Sequence, residues 1–167
     1  MSNVIIGVDN GISGALVAIS AHNGALIAAT EMPIQKARKG NEIDVLSVKE
    51  WILSVCGECP TNVKCAIVEE PGGSKSAKAA MSMSGSFHAI RAVLSLMLIR
   101  THRITPQKWQ KEMLPGCKAG DTKPRALELA KRLWPDEAFL ASPRCRVSHD
   151  GIVDAALLAE YARIKNL

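Results

Sequence analysis

Apolar residues follow two rhythms along this chain. Residues 3–9 (NVIIGVD) form a short, nearly unbroken apolar run rich in β-branched side chains, the pattern of a strand buried on both faces. Asn10-Gly11 interrupts it, and 14–19 (GALVAI) predicts a second strand. His22-Asn23-Gly24 predicts a turn and 25–32 a third strand, so two tight connections give an antiparallel meander. Lys36–Asn41 is expected to be a basic, glycine-containing loop. After Asp44, a capping residue, Val45, Val48, Ile52 and Val55 recur at helical spacing. Residues 64–69 (KCAIVE) predict a fourth strand, closed by Glu70-Pro71-Gly72-Gly73. A long helix is expected from Ser76 to Leu98, small-residue-rich in its first half and apolar in its second, followed by a fifth strand over 99–104. Thr105-Pro106 starts a helix with Pro at the first position, and Asp121-Thr122 opens another that runs to Leu133, before Pro135. Ser148 is expected to cap a final helix over 149–165.

The predicted order is β-β-β-α-β-α-β-α-α-α. A meander continued by helix-linked strands implies an α/β fold, a mixed five-stranded sheet with helices on its faces. At 167 residues the chain fits one domain, 1–167. No apolar run reaches the ~18 residues of a membrane span, and MSNVIIGVDN lacks the charged front and cleavage site of a signal peptide. A cytoplasmic protein without a membrane partner is the expectation. Five cysteines, an odd number, read as reduced thiols, and Cys56-Gly-Glu-Cys59 lacks the second pair that a zinc site needs. Trp51, Trp109 and Trp134 read as core or helix-end packing.

Charge sharpens the picture. Residues 1–70 hold 5 Lys/Arg against 8 Asp/Glu, residues 71–147 hold 14 against 5, and residues 148–167 hold 2 against 3. A basic middle between acid-bearing ends suits a polyanion lying across a metal-binding centre. The acids fall at telling places. Asp9 and Glu69 end predicted strands, where functional groups of α/β sheets gather, and Asp150 and Asp154 share one face near the start of the final helix. Singly, each has a bland alternative: a turn, a solvated strand end, a helix cap. Brought together, they would repel one another too strongly for a dry core, and a divalent cation would relieve that repulsion.

The segments GVDNGISGAL, VEEP, DTKPRALELAKRLWP and HDGIVDAALLAEYA together resemble the RuvC-like Holliday-junction resolvases of the phage and organellar branch. That resemblance implies a ribonuclease-H-like fold, a homodimer, and Mg²⁺-dependent symmetrical nicking of four-way DNA junctions, with two Mg²⁺ per site and Mn²⁺ as a substitute. It assigns Asp9, Glu69 and Asp154 as metal-binding catalytic acids, and Lys123 as the lysine near the scissile phosphate. Bacterial resolvases space the last acid pair three apart. Here Gly151 holds that position and Asp150 is the fourth candidate acid, with His149 as a possible ligand or proton carrier. Lys75, Ser76, Lys78, Ser82, Lys118 and Lys123 are the expected DNA-backbone contacts, and Ser74 and Ser84 also suit close approach of a phosphate. Family members often carry an aromatic wedge soon after the fourth-strand acid. This chain has Pro-Gly-Gly-Ser there and Phe87 only later. Two rivals remain: a non-catalytic junction-binding module, and an actin-like phosphate-binding enzyme, which also uses a strand–Asp–Gly turn but normally needs two such domains.

Overall fold

The computed structural model of the chain describes residues 3–73, 76–118 and 120–167. The apolar run at the start becomes β1 (Val4–Asp9), buried along its length. It pairs antiparallel with β2 (Ala15–Ser20), which pairs antiparallel with β3 (Leu26–Glu31). The expected loop after β3 is instead a small hairpin of β4 (Ile34–Lys36) and β5 (Asn41–Ile43), turning at Gly40 with φ +87°. Strands this short, with apolar residues only at their outer ends, carry no readable alternation. Asp44 caps α1 (Val45–Cys56) by accepting from the N–H groups of Leu46 and Ser47.

On the other side of β1, β6 (Val63–Glu69) runs parallel, and β7 (Thr101–Ile104) continues the parallel half. The sheet order is β3-β2-β1-β6-β7, the mixed five-stranded arrangement expected from the sequence. Between β6 and β7 lies α2 (Ala77–Leu96), and α3 (Pro106–Met113), α4 (Thr122–Leu133) and α5 (Asp150–Ile164) complete the chain.

Alternation along the strands divides the core in two. Ile5, Val17, Ile19 and Ile67 point to a layer made by α3, α4 and α5. Val4, Ile6, Val8, Leu16 and Val68 point to a layer made by α1 and α2. Because β1 and β6 are parallel neighbours, Asp9 and Glu69 leave the sheet at the same edge. The N-termini of the helices that follow β7 face that edge too.

The helix that matters most is α5. Eleven of its fifteen residues are buried, so it is a core helix and not an amphipathic one. Its alanines let it lie close on the sheet over β1 and β2. A Cβ built at Gly7 would stand 1.9 Å from the carbonyl oxygen of Ala155 and 2.8 Å from the nitrogen of Ala159. Both are backbone atoms, so neither can swing aside. Gly7→Ala is therefore expected to push α5 off β1 and to cost about 1–3 kcal/mol or more, read as a fall of roughly 2–4 °C in Tm per kcal/mol. An unchanged melting curve would refute this account of the packing.

Candidate active site

Three carboxylates converge at the edge where β1 and β6 end. Asp9 closes β1, Glu69 closes β6, and Asp154 sits one turn into α5. Each is half-buried. Burial, and for two of them neighbouring charge, makes all three harder to ionise. Burial pushes Asp154 up to about 7, and the negative charges of Asp9, Glu69 and Asp150 add to it while Lys123 opposes. Burial likewise pushes Glu69 up to about 7, with Asp9 adding and a hydrogen bond from Trp109 opposing. Asp9 is also raised, by burial, against the pull of the Gly11 N–H and of His149.

Close backbone approach makes the convergence possible. A Cβ at Gly151 would come within 2.9 Å of Gly14 Cα and 3.1 Å of Asp9 Oδ2. The start of α5 is thereby pressed against the β1–β2 turn. The same contact explains why no acid stands three residues before Asp154, since position 151 has no room for a side chain.

Asp150 is different. Its side chain is exposed and accepts a hydrogen bond from Lys123 Nζ at 2.5 Å, an ion pair between exposed partners. Asp150 lies in the first helical turn, one turn ahead of Asp154. Asp9, Asp150, Asp154, Lys123, Ser13 and His149 are among the residues lining an open cleft of about 550 Å³. Glu69 stands beside this cleft, not on its wall.

The cap of α5 differs from expectation. Ser148 donates its hydroxyl to the Ala138 carbonyl (3.1 Å), and His149 takes the capping place, its Nδ1 accepting from the Ile152 N–H at 3.3 Å. Its Nε2 lies 3.4 Å from Glu31 Oε1. The Nδ1 lone pair is thus committed to the helix cap.

Other residues in the corner have no sequence signature. Trp109, in the core with no exposed surface, donates its indole N–H to Glu69 Oε2 at 2.6 Å. Buried Asn10 donates to the main-chain carbonyl of Glu69. Glu31 lies in one row across the sheet with Asp9, through Ala15.

Of the expected DNA contacts, Lys75 lies outside the described residues, as does Ser74. Ser76 accepts from the Ala79 N–H as the cap of α2. Lys78 and Ser82 are exposed on α2, Lys118 is exposed ahead of α4, and Lys123 opens α4. Phe87 is buried under Arg91, which places it in the core.

Among the described residues no three of His, Cys, Asp and Glu stand close enough, as placed, to grip one ion. The donor chemistry nevertheless fits a hard divalent cation. The converging groups are carboxylates only, burial and neighbouring negative charge raise the affinity of Glu69 and Asp154 for protons, and a cation that keeps several of its waters needs few protein ligands.

Structural comparison places the fold. A structure of Thermus thermophilus RuvC in complex with a Holliday junction substrate is similar to this chain with a TM-score of 0.66 at 16% sequence identity, covering 98% of this chain and 95% of that one. A second Thermus thermophilus RuvC structure gives a TM-score of 0.60 at 18% identity, covering 97% and 96%. The fold is RuvC-like, of the ribonuclease-H kind. No family model and no curated protein matches the sequence.

The raised acids have a consequence for stability. Asp154 and Glu69 ordinarily titrate at 3.8 and 4.5 but at about 7 in the fold. Between those limits the folded chain holds more protons than the unfolded one, so stability falls as pH rises and levels off above about 7. Asp154→Asn in cation-free protein is therefore expected to raise Tm at about pH 8 by several degrees, and by less at about pH 5. Equal shifts at both values, in a thermal melt, would show that Asp154 is not strained by its neighbours.

Proposed function

We propose that this protein is a Mg²⁺-dependent, structure-selective DNA endonuclease that resolves four-way junctions by paired nicks, working as a homodimer. One observation carries the reading: Asp9, Glu69 and Asp154, far apart in sequence, meet in one partly buried corner where burial disfavours ionisation of all three and the charge of Asp9 adds to it for the other two. The RuvC-like fold supports it, and the Thermus thermophilus protein of that fold is in complex with a Holliday junction substrate.

In this reading the three carboxylates, with Asp150 at the rim, hold the cations. Bound there, two Mg²⁺ would neutralise the acids, lower the pKa of a water and stabilise the leaving oxygen of an in-line displacement. Mn²⁺ would substitute. The chain supplies the rest. The Lys123 ammonium hangs at the cleft mouth on the exposed Asp150, in a pair that water screens and a phosphate can replace. The exposed Lys78, Ser82 and Lys118 would hold the DNA backbone away from the acids, and Lys75 is proposed with them. Products would carry a 5′-phosphate and a 3′-hydroxyl.

Pairing of two copies is supported by α2. None of the residues from Ala77 to Gly85 is buried, so the described residues leave most of the first half of this helix uncovered. Beside it runs a groove of about 410 Å³ lined by Ile43, Val45, Ser82, Gly85, Ser86 and Ala89, among others. Small residues on a helix allow close approach of a second helix.

A labelled synthetic four-way junction, incubated with and without Mg²⁺ and resolved on a denaturing gel, tests the reading. Symmetrical nicks are expected only with the cation. Asp9→Asn, Glu69→Gln and Asp154→Asn should each abolish nicking yet keep junction binding. Junction affinity should fall at least about tenfold between roughly 50 and 200 mM salt, because phosphate neutralisation releases counterions. Binding that ignores Mg²⁺, with no nicks from the wild-type chain, would instead identify a DNA-binding module with idle acids.

A further inference from the structure

We propose that Trp109 is a positioning residue for the reaction: its indole N–H holds Glu69 Oε2 at 2.6 Å, which leaves Oε1 as the oxygen presented to a cation. This rests on the reading of Asp9, Glu69 and Asp154 as a cation site.

A buried indole needs an acceptor for its N–H. Trp109 has no exposed surface, and its N–H is its one polar group. A main-chain carbonyl would satisfy it, as the Gly24 carbonyl satisfies Trp134 at 2.8 Å. Trp109 instead donates to a carboxylate that stands at the edge of the sheet, half-buried, beside Asp9 and Asp154. An unpinned glutamate must lose side-chain freedom each time it binds an ion. Glu69 has lost that freedom already. Its carboxylate is held by Trp109 and its main chain by Asn10, from α3 on one side and from the β1–β2 turn on the other.

The donor is itself anchored. Glu112, on the same helix as Trp109, accepts from the Tyr161 hydroxyl at 3.2 Å and pairs with Lys165 Nζ at 2.5 Å. Tyr161 belongs to α5, the helix that carries Asp154. The support for Glu69 and the backbone of Asp154 are thus tied to each other, so the two acids keep a fixed relation. Hydrogen-bond partners that orient a metal-binding carboxylate typically govern cation affinity or activity by about 10–100-fold.

The test uses the full chain. Trp109→Phe keeps an aromatic ring in the core and deletes the N–H. Expected results are unchanged junction affinity without cation, Mn²⁺ affinity weaker by about 10–100-fold in an electron-spin-resonance titration, and nicking partly restored by excess Mn²⁺. A folded Trp109→Phe protein with wild-type Mn²⁺ affinity overturns the proposal alone. A wild-type protein that neither binds Mn²⁺ nor nicks junctions overturns the site reading and the proposal with it. Should Trp109→Phe fail to fold, nitrogen–proton correlation spectra decide the matter. The Trp109 indole resonance should move when Mg²⁺ is added to wild-type protein and again in Glu69→Gln, with those of Trp51 and Trp134 in place. A Trp109 resonance that ignores both changes overturns the proposal.

Discussion

Burial of three carboxylates in one corner, with the charge of Asp9 opposing ionisation of the other two, is the constraint that the packing of this fold must meet. Asp9, Glu69 and Asp154 would ionise readily in water, yet here burial and proximity oppose it. Such a corner exists only because stronger local requirements hold it in place. The parallel pairing of β1 and β6 sends two acids out at one edge. The absence of a side chain at Gly7 lets α5 lie on β1, and its absence at Gly151 lets the start of α5 touch Gly14. Each of these contacts is backbone against backbone, so none can relax by a rotamer change. Packing free energy from a helix buried on all sides holds the acids where they would not go unaided.

Much of this was legible in the sequence, for a physical reason. A strand buried on both faces must be an apolar run, so β1, β2 and β6 declare themselves, and an acid that ends such a run is conspicuous. The same logic exposed α5, whose apolar residues cover every face yet begin beside two acids. What stayed hidden depends on contacts between distant segments. Trp109 has the pattern of a core residue and is one, and only the fold reveals that its N–H meets Glu69. Asn10 reads as a turn residue, although its amide reaches across to β6. The cap of α5 misled for a similar reason. Serine ranks high among capping residues, but the Ser148 hydroxyl is already committed to the Ala138 carbonyl, and the neighbouring imidazole serves instead.

The candidate acids also differ among themselves in a way that spacing alone does not convey. Asp154 faces inward and feels Asp9 and Glu69, whereas Asp150 faces water and is occupied by Lys123. One turn of helix separates them, and that turn divides a strained interior from a screened surface. Removing charge at the two places should therefore have unlike effects on the fold, because only the interior group carries a desolvation cost. The pairing of Lys123 with Asp150 holds the ammonium at the mouth of the cleft in a neutral pair.

Charge along the chain then has a consistent meaning. A polyanion approaching the corner would meet three carboxylates, a field of the wrong sign. The positive charge that could draw it in belongs to other segments, chiefly residues 71–147, where 14 Lys/Arg face 5 Asp/Glu. Attraction and chemistry would thus fall to different parts of the surface. In the reading proposed above, cations reverse the sign of the corner while the basic flanks hold the backbone. Affinity and cleavage then answer to separate charges.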